Sequence, residues 1–427
     1  MRVAIVASGF LPVVDGVTVS LYERLKVLSG LGHEVLVLCP DYRVIEAVYP
    51  SWREYQGKIL PGVQVVGLPS ERFMGVEFER NLTVGARGQL YRELAEFGPD
   101  LVHVDEPDRI FLGMLQAVGV GYAREKRIAC VGFYHTNFID YIEDFLPLPK
   151  VALSKQVVRG MQWFSMLFIR PVFHAYDAVL VSSGVAQERL RQLGVRNVVC
   201  DRYLGVAVEA FENAQRESDY FRKAHGLKGI EDRLKITFLG RLTPDKGWRF
   251  TLRALTAWVA DPANADWVRR VVLIVAGEGE LRGEIAESLQ GLGLTVHFLG
   301  RVAPEAVPAL LKNSDIHVTA SEKETLGLTV LEAFAAGIPV VAPAAGGVAT
   351  LVRDGENGLL FASQSVAAFG QALSRLVVDG ALREAMGQQG RQAVMAYRWE
   401  SVVANLVKTW ERQIARSNRD LRIHSKD

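Results

Sequence analysis

Two glutamates, Glu324 and Glu332, stand seven residues apart in the run Ser321–Pro339, SEKETLGLTVLEAFAAGIP. The run predicts a strand ending near Ser321 and a helix from about Leu328, stopped at Gly337 with Pro339 beyond. Glu324 then lies in the loop at the helix mouth and Glu332 one turn inside. The first amides of that helix, on Gly327, Leu328 and Thr329, point out of its N-terminus, where the helix dipole favours an anion. One carboxylate suits sugar hydroxyls and the other ribose hydroxyls, with a phosphate between them on the amides. Two ordinary exposed glutamates on a helix are the competing reading.

A second group follows a strand in Gly240-Arg241-Leu242-Thr243-Pro244-Asp245-Lys246-Gly247. Arg241 can grip a diphosphate bidentately and Lys246 can neutralise it as a point charge. A solvated surface pair is the bland alternative. A third is the loop Phe10–Thr18, where Gly16 opens a helix and lets backbone approach a ligand. Neither this loop nor Gly277-Glu278-Gly279, which has Arg282 where a third glycine belongs, carries the dinucleotide fingerprint, so nicotinamide and flavin are disfavoured. His135 closes a strand in Gly132–Asn137 and reads equally as structural or functional. Phosphate grip and paired carboxylates together point to departure of a diphosphate, which needs positive charge and amides where negative charge develops. A retaining transfer of this kind requires no protein nucleophile. No Asp-x-Asp metal site occurs, so no cofactor or metal is expected, the cations taking the metal's place.

These groups must be positioned by a chain of 427 residues, long for one domain and suited to two α/β domains. Lys+Arg at 49 against Asp+Glu at 48 gives no global reason to expect nucleic acid. Cys39, Cys130 and Cys200 are far apart in apolar runs and read as buried thiols. Apolar runs alternate with helix-period segments, the pattern of βαβ units. Strands are expected at Val3–Ala7, Val35–Leu38, Leu101–Val104, Ala129–Tyr134 and Ala178–Val181. A second series is expected at Lys235–Leu239, Val271–Ala276, Val296–Leu299, Ile316–Thr319 and Pro339–Ala342. The implied division is a first domain at 1–205, a linker at 206–234, a second domain at 235–397, and from 398 to 427 a helix returning to the first domain, with a tail. The fold class is thus α/β, two doubly wound Rossmann-like domains facing across a cleft.

Gly240–Gly247 and Glu324–Glu332 resemble the diphosphate-binding and Glu-x7-Glu motifs of retaining glycosyltransferase family four, which has the GT-B architecture. Pro12–Gly16, Gly32–Val35, Pro99–His103 and Gly277–Gly279 extend the resemblance over almost the whole chain. It implies that Gly16 contacts the donor's phosphate side and that Arg241 and Lys246 bind the diphosphate. It further implies that Glu324 holds the donor sugar, Glu332 the ribose, that Arg301 and Val302 lie near the nucleobase, and that His135 lies near the anomeric carbon. A narrower resemblance, on Ser321–Leu328, Phe133–Thr136, Phe10–Gly16 and Leu38–Pro40, is to sulfoquinovosyl and glycosyl diacylglycerol synthases. It implies a UDP-sugar donor, UDP-sulfoquinovose or a UDP-hexose, and diacylglycerol as acceptor; a soluble sugar or polysaccharide acceptor, and a non-catalytic nucleotide-sugar-binding protein, are the alternatives. The chain departs from the pattern at Leu204, Glu280, Val348–Thr350 and Gly57–Asn81.

Lys150–Tyr176 mixes Lys150, Lys155, Arg159 and Arg170 with Trp163, Phe164 and other apolar residues. Such a segment fits either a helix covering the first sheet or one resting on anionic lipid. Arg80, Arg87 and Arg92, on a preceding helix candidate, extend a basic face. With no apolar stretch of ~18 residues, the expected location is cytoplasmic, at most peripheral on the inner membrane face.

Overall fold

The computed structural model describes residues 1–73, 76–135 and 169–424, and side chains outside 76–79 and 419–424. The chain forms two compact units: Met1–Leu204 with Trp399–Asp427, and Gly205–Arg398. The segment 206–234 packs with the second unit and carries two short helices, Val208–Asn213 and Tyr220–His225.

The first unit holds β1 (Arg2–Val6), β2 (Glu34–Pro40), β3 (Gly57–Leu60), β4 (Val63–Leu68), β5 (Ser70–Phe73), β6 (Val76–Leu82), β7 (Leu101–Asp105), β8 (Ala129–Phe133), β9 (Ala178–Val181) and β10 (Val198–Cys200). Its main sheet runs β10-β9-β8-β7-β1-β2-β4-β3, parallel except for the antiparallel edge strand β3, while β5 and β6 form a separate hairpin. Near-continuous apolar runs such as Val3–Val6 are wholly buried because helices cover both faces of a parallel sheet. The helix Gly16–Gly30 starts from a capping box. Asp15 accepts the amides of Val17 and Thr18, and the Thr18 hydroxyl accepts the amide of Asp15.

The second unit holds β11 (Leu234–Leu239), β12 (Val271–Ala276), β13 (Thr295–Gly300), β14 (Ile316–Val318), β15 (Val340–Pro343) and β16 (Gly358–Phe361), all parallel in the order β13-β12-β11-β14-β15-β16. Its core includes Phe250, Phe361 and Phe369, stacked or edge-on within 6 Å of one another.

Each of the ten expected strands is present within two residues of its expected ends. The stretch from Gly57 holds four strands that alternation did not reveal, β3 and β5 having only four residues each and β4 and β6 carrying polar residues among their apolar ones. Arg80 lies on β6, not on a helix, and is buried with its guanidinium on Ser70, so it adds nothing to a basic face. Cys200 is half-buried, unlike Cys39 and Cys130, because β10 is the sheet edge. Most of the Lys150–Tyr176 segment lies outside the described residues. Its described end, a helix at 169–175, buries Ile169, Val172 and Phe173 in the core.

Candidate active site

An open parallel sheet binds ligands at the carboxyl ends of its strands, where the strand order reverses. In the second unit that point lies between β11 and β14. The loop after β11 carries Arg241 and Lys246, and the loop after β14 carries Glu324. Lys246 Nζ donates to Glu324 Oε1 at 2.6 Å and lies 3.5 Å from Asp245 Oδ2. Arg241 Nη2 stands 3.5 Å from the same Asp245 oxygen, its side chain 60% exposed. Burial alone would raise the Asp245 carboxyl, but the Lys246 and Arg241 charges hold it below the usual range. Arg241, Lys246 and Glu324, drawn from sequence segments some eighty residues apart, thus form one cluster.

Glycines fix both loops. Gly247, at φ +73°, sits where an added Cβ would lie 2.2 Å from the Ala320 carbonyl oxygen, so the two loops touch backbone to backbone. Gly347 donates its amide to the Glu324 carbonyl at 2.6 Å, and a Cβ there would stand 2.2 Å from the Thr325 oxygen. The Gly277–Gly279 loop braces the other flank, with Leu242 donating to the Glu278 carbonyl and Leu281 to that of Leu242.

The helix Leu328–Ala336 begins at Gly327 and ends at the left-handed Gly337. Its first amides, on Gly327, Leu328 and Thr329, have no carbonyl within the helix to bond, which makes this end receptive to an anion. The Thr329 hydroxyl donates to His317 Nε2, since His317 Nδ1 already donates to the Thr237 carbonyl. Glu332 lies one turn in, half-buried, and burial pushes its carboxyl up to about 7. Arg301 and Val302 follow β13, two strands from β11 in the sheet order.

In the first unit the order reverses between β1 and β7. A small polar cleft opens there, lined by Ser8, Asp15, Tyr42, Arg80, Glu106 and Arg109 among others. Gly16 is exposed beside it, its amide not among those taken by Asp15. Glu106 is buried in a left-handed conformation rare for a residue with a side chain, and Ser8 donates to its carboxylate. Asp108, likewise buried, is pushed up to about 7 by burial and by the charge of Glu106.

His135, two residues beyond β8, is buried on the Phe133 ring, with Nε2 3.0 Å from Asp105 Oδ1. Asp105 also receives Arg24 at 2.6 Å and His103 Nε2 at 2.9 Å. Burial alone would raise the Asp105 carboxyl, yet Arg24 and the two imidazoles hold it well below the usual range. His135 was legible in sequence, but Asp105, Arg24 and Glu106 were not. The signal was His103-x-Asp105, two polar residues on one face of an otherwise apolar strand. Among the described residues no group of three or more His, Cys, Asp or Glu stands together as for a metal.

Solved structures of like fold include sucrose-phosphate synthase from Thermosynechococcus elongatus, at a TM-score of 0.68 and 17% identity over 97% of this chain and 99% of that one. HepE of Anabaena, crystallised with UDP, matches at 0.69 and 18% over 96% and 100%. The architecture is therefore that of the GT-B glycosyltransferases. Family models for glycosyltransferase family 4 and for glycosyl transferases group 1 match residues 14–202 and 219–393. A GDP-mannose-dependent alpha-mannosyltransferase of Mycolicibacterium smegmatis is 30% identical over 97% of this chain and 98% of its own length. An alpha-monoglucosyldiacylglycerol synthase of Streptococcus pneumoniae is 26% identical over 84% and 75%, and the sulfoquinovosyl transferase of Arabidopsis thaliana 25% over 90% and 68%. The chain belongs to this glycosyltransferase family, and it is a hexosyltransferase using a nucleotide sugar.

Proposed function

We propose that the protein transfers a hexosyl group, with retention of configuration and without a metal, from a nucleoside-diphosphate hexose to a hydroxyl of a lipid acceptor. The observation that carries this reading is the Lys246–Glu324 contact at the point of strand reversal, with Arg241 beside it. A diphosphate entering there finds two cations and the open amides of Gly327, Leu328 and Thr329. The cations stabilise the leaving group as charge develops on it, as a divalent metal would. Glu324, released from Lys246, turns to the sugar hydroxyls, and Glu332 serves the ribose. Arg301 and Val302 are assigned to the nucleobase, Gly16 to the phosphate side, and His135 to the sugar.

The donor follows the relative matched over nearly its whole length, which is named for GDP-mannose. A UDP-hexose or UDP-sulfoquinovose donor with diacylglycerol as acceptor is the second reading, favoured by the sequence motifs and by the names of the two glycolipid enzymes. Among the described residues no helix is long and apolar enough to cross a membrane, and a lipid acceptor would require contact with the membrane surface from one side. Incubating the protein with each donor, with and without diacylglycerol vesicles and with EDTA, tests the reading by mass spectrometry. A glycolipid formed in EDTA supports it. Activity restored only by added divalent cation refutes metal independence.

A further inference from the structure

The strand β7 places His103 and Asp105 on one face, and β8 delivers His135 to that same face through the register Asp105 opposite Phe133. The helices Gly16–Gly30 and Trp399–His424 contribute to this face, Arg24 from the first and Trp410 from the second. Arg24, His103, Asp105 and Trp410 are each wholly buried, so their protons are assigned by hydrogen-bond chemistry rather than by water.

An indole N–H can only donate, and Trp410 Nε1 lies 3.1 Å from His103 Nδ1. That nitrogen therefore carries no proton, and His103 is neutral with its proton on Nε2, in keeping with the lowering of its basicity by burial. Nε2 donates to Asp105 Oδ1 at 2.9 Å, while Arg24 Nη1, a second donor 3.4 Å from the same nitrogen, gains nothing there. Asp105, held as a carboxylate, can only accept, so His135 Nε2 is also protonated across its 3.0 Å contact. One carboxylate oxygen thus accepts a hydrogen bond from each imidazole, and the other accepts one from Arg24 at 2.6 Å.

We infer that Trp410 and His103 are positioning residues which, through Asp105, fix the ring orientation and proton position of His135, making the C-terminal helix a working part of the active site. This rests on the proposed role of His135 at the sugar. Trp410 also stacks edge-on against His103 at 5.5 Å, and the preceding Thr409 bonds Tyr203, whose ring packs on Phe133 beneath His135. A helix that anchored by apolar packing alone would need neither the indole N–H nor its imidazole acceptor.

Two readouts test the inference. Nitrogen-15 spectra of histidine-labelled wild type should show unprotonated Nδ1 and protonated Nε2 on His103, and protonated Nε2 on His135. A protonated His103 Nδ1 overturns the relay without any mutant. Trp410→Phe keeps the ring but removes the donor. It should mix the His103 tautomers, shift the His135 signals and lower kcat for donor turnover about tenfold, the worth of one buried hydrogen bond, with donor KM nearly unchanged. Unchanged imidazole signals and kcat in a folded Trp410→Phe would refute it. If instead His135→Ala turns over normally while the wild-type tautomers are as assigned, the role of His135 fails, not the geometry.

Discussion

Lys246 and Glu324 pair with each other across 2.6 Å, with their side chains 20% and 27% exposed. A diphosphate must therefore compete with Glu324 for Lys246, and this gives the two residues opposite signatures. Lys246→Ala should weaken nucleoside-diphosphate binding about 10- to 100-fold, the worth of a charge-assisted bond. Glu324→Ala should leave that binding unchanged or tighter while transfer is lost, a pair of outcomes that calorimetry and a turnover assay separate. Glu332 makes a different prediction. Its carboxyl is raised from 4.5 to about 7, so the folded state holds the proton more tightly than the unfolded one. The stabilisation is complete below about pH 4.5 and is lost as the pH rises through 7, up to about 3 kcal/mol in all. Glu332→Gln should accordingly raise the melting temperature at pH 8 and change it little at pH 5. Of these groups Arg241, Lys246, Glu324, Glu332 and His135 could be picked out in the sequence, because their types and neighbours suit phosphate and sugar chemistry. Their partners were harder to read: Asp105 left only the His103-x-Asp105 pattern on an apolar strand, and Arg24 and Trp410 look like ordinary helix residues until packing brings them together.

The loops that hold the cluster are governed by backbone contact rather than by side chains. Gly247→Ala would add a Cβ 2.2 Å from the Ala320 oxygen at a positive φ. The expected loss is more than about 2 kcal/mol in urea unfolding, accompanied by loss of nucleotide binding. An equal stability with normal binding would show that the two loops need not touch. The sequence pointed to Gly247 as a turn but not to Gly347 as a brace for Glu324, because the contact spans more than twenty residues and depends on where β15 lies beside β14. The ten principal strands were readable for the opposite reason. Most are buried apolar runs such as Val271–Ala276, and β13, though only partly buried, is apolar over most of its length, whereas β3 and β5 have four residues each and carry little periodic signal.

At the level of the molecule, the two series of strands were readable because βαβ alternation repeats twice. The identity of the hexose and of the acceptor was not, because the residues proposed for the sugar and the base, Glu324, His135, Arg301 and Val302, do not separate the candidates by their charge. The reading stands on Lys246 and Glu324 as the donor site proposed for this hexosyltransferase. Its most direct test is donor turnover by wild type, Lys246→Ala and Glu324→Ala on GDP-mannose, UDP-glucose, UDP-galactose and UDP-sulfoquinovose, with and without diacylglycerol vesicles, followed by mass spectrometry. Wild type should turn over one donor, Lys246→Ala should show a raised donor KM, and a Glu324→Ala protein that still binds the nucleotide should give no transfer. Normal turnover in either folded variant would contradict it.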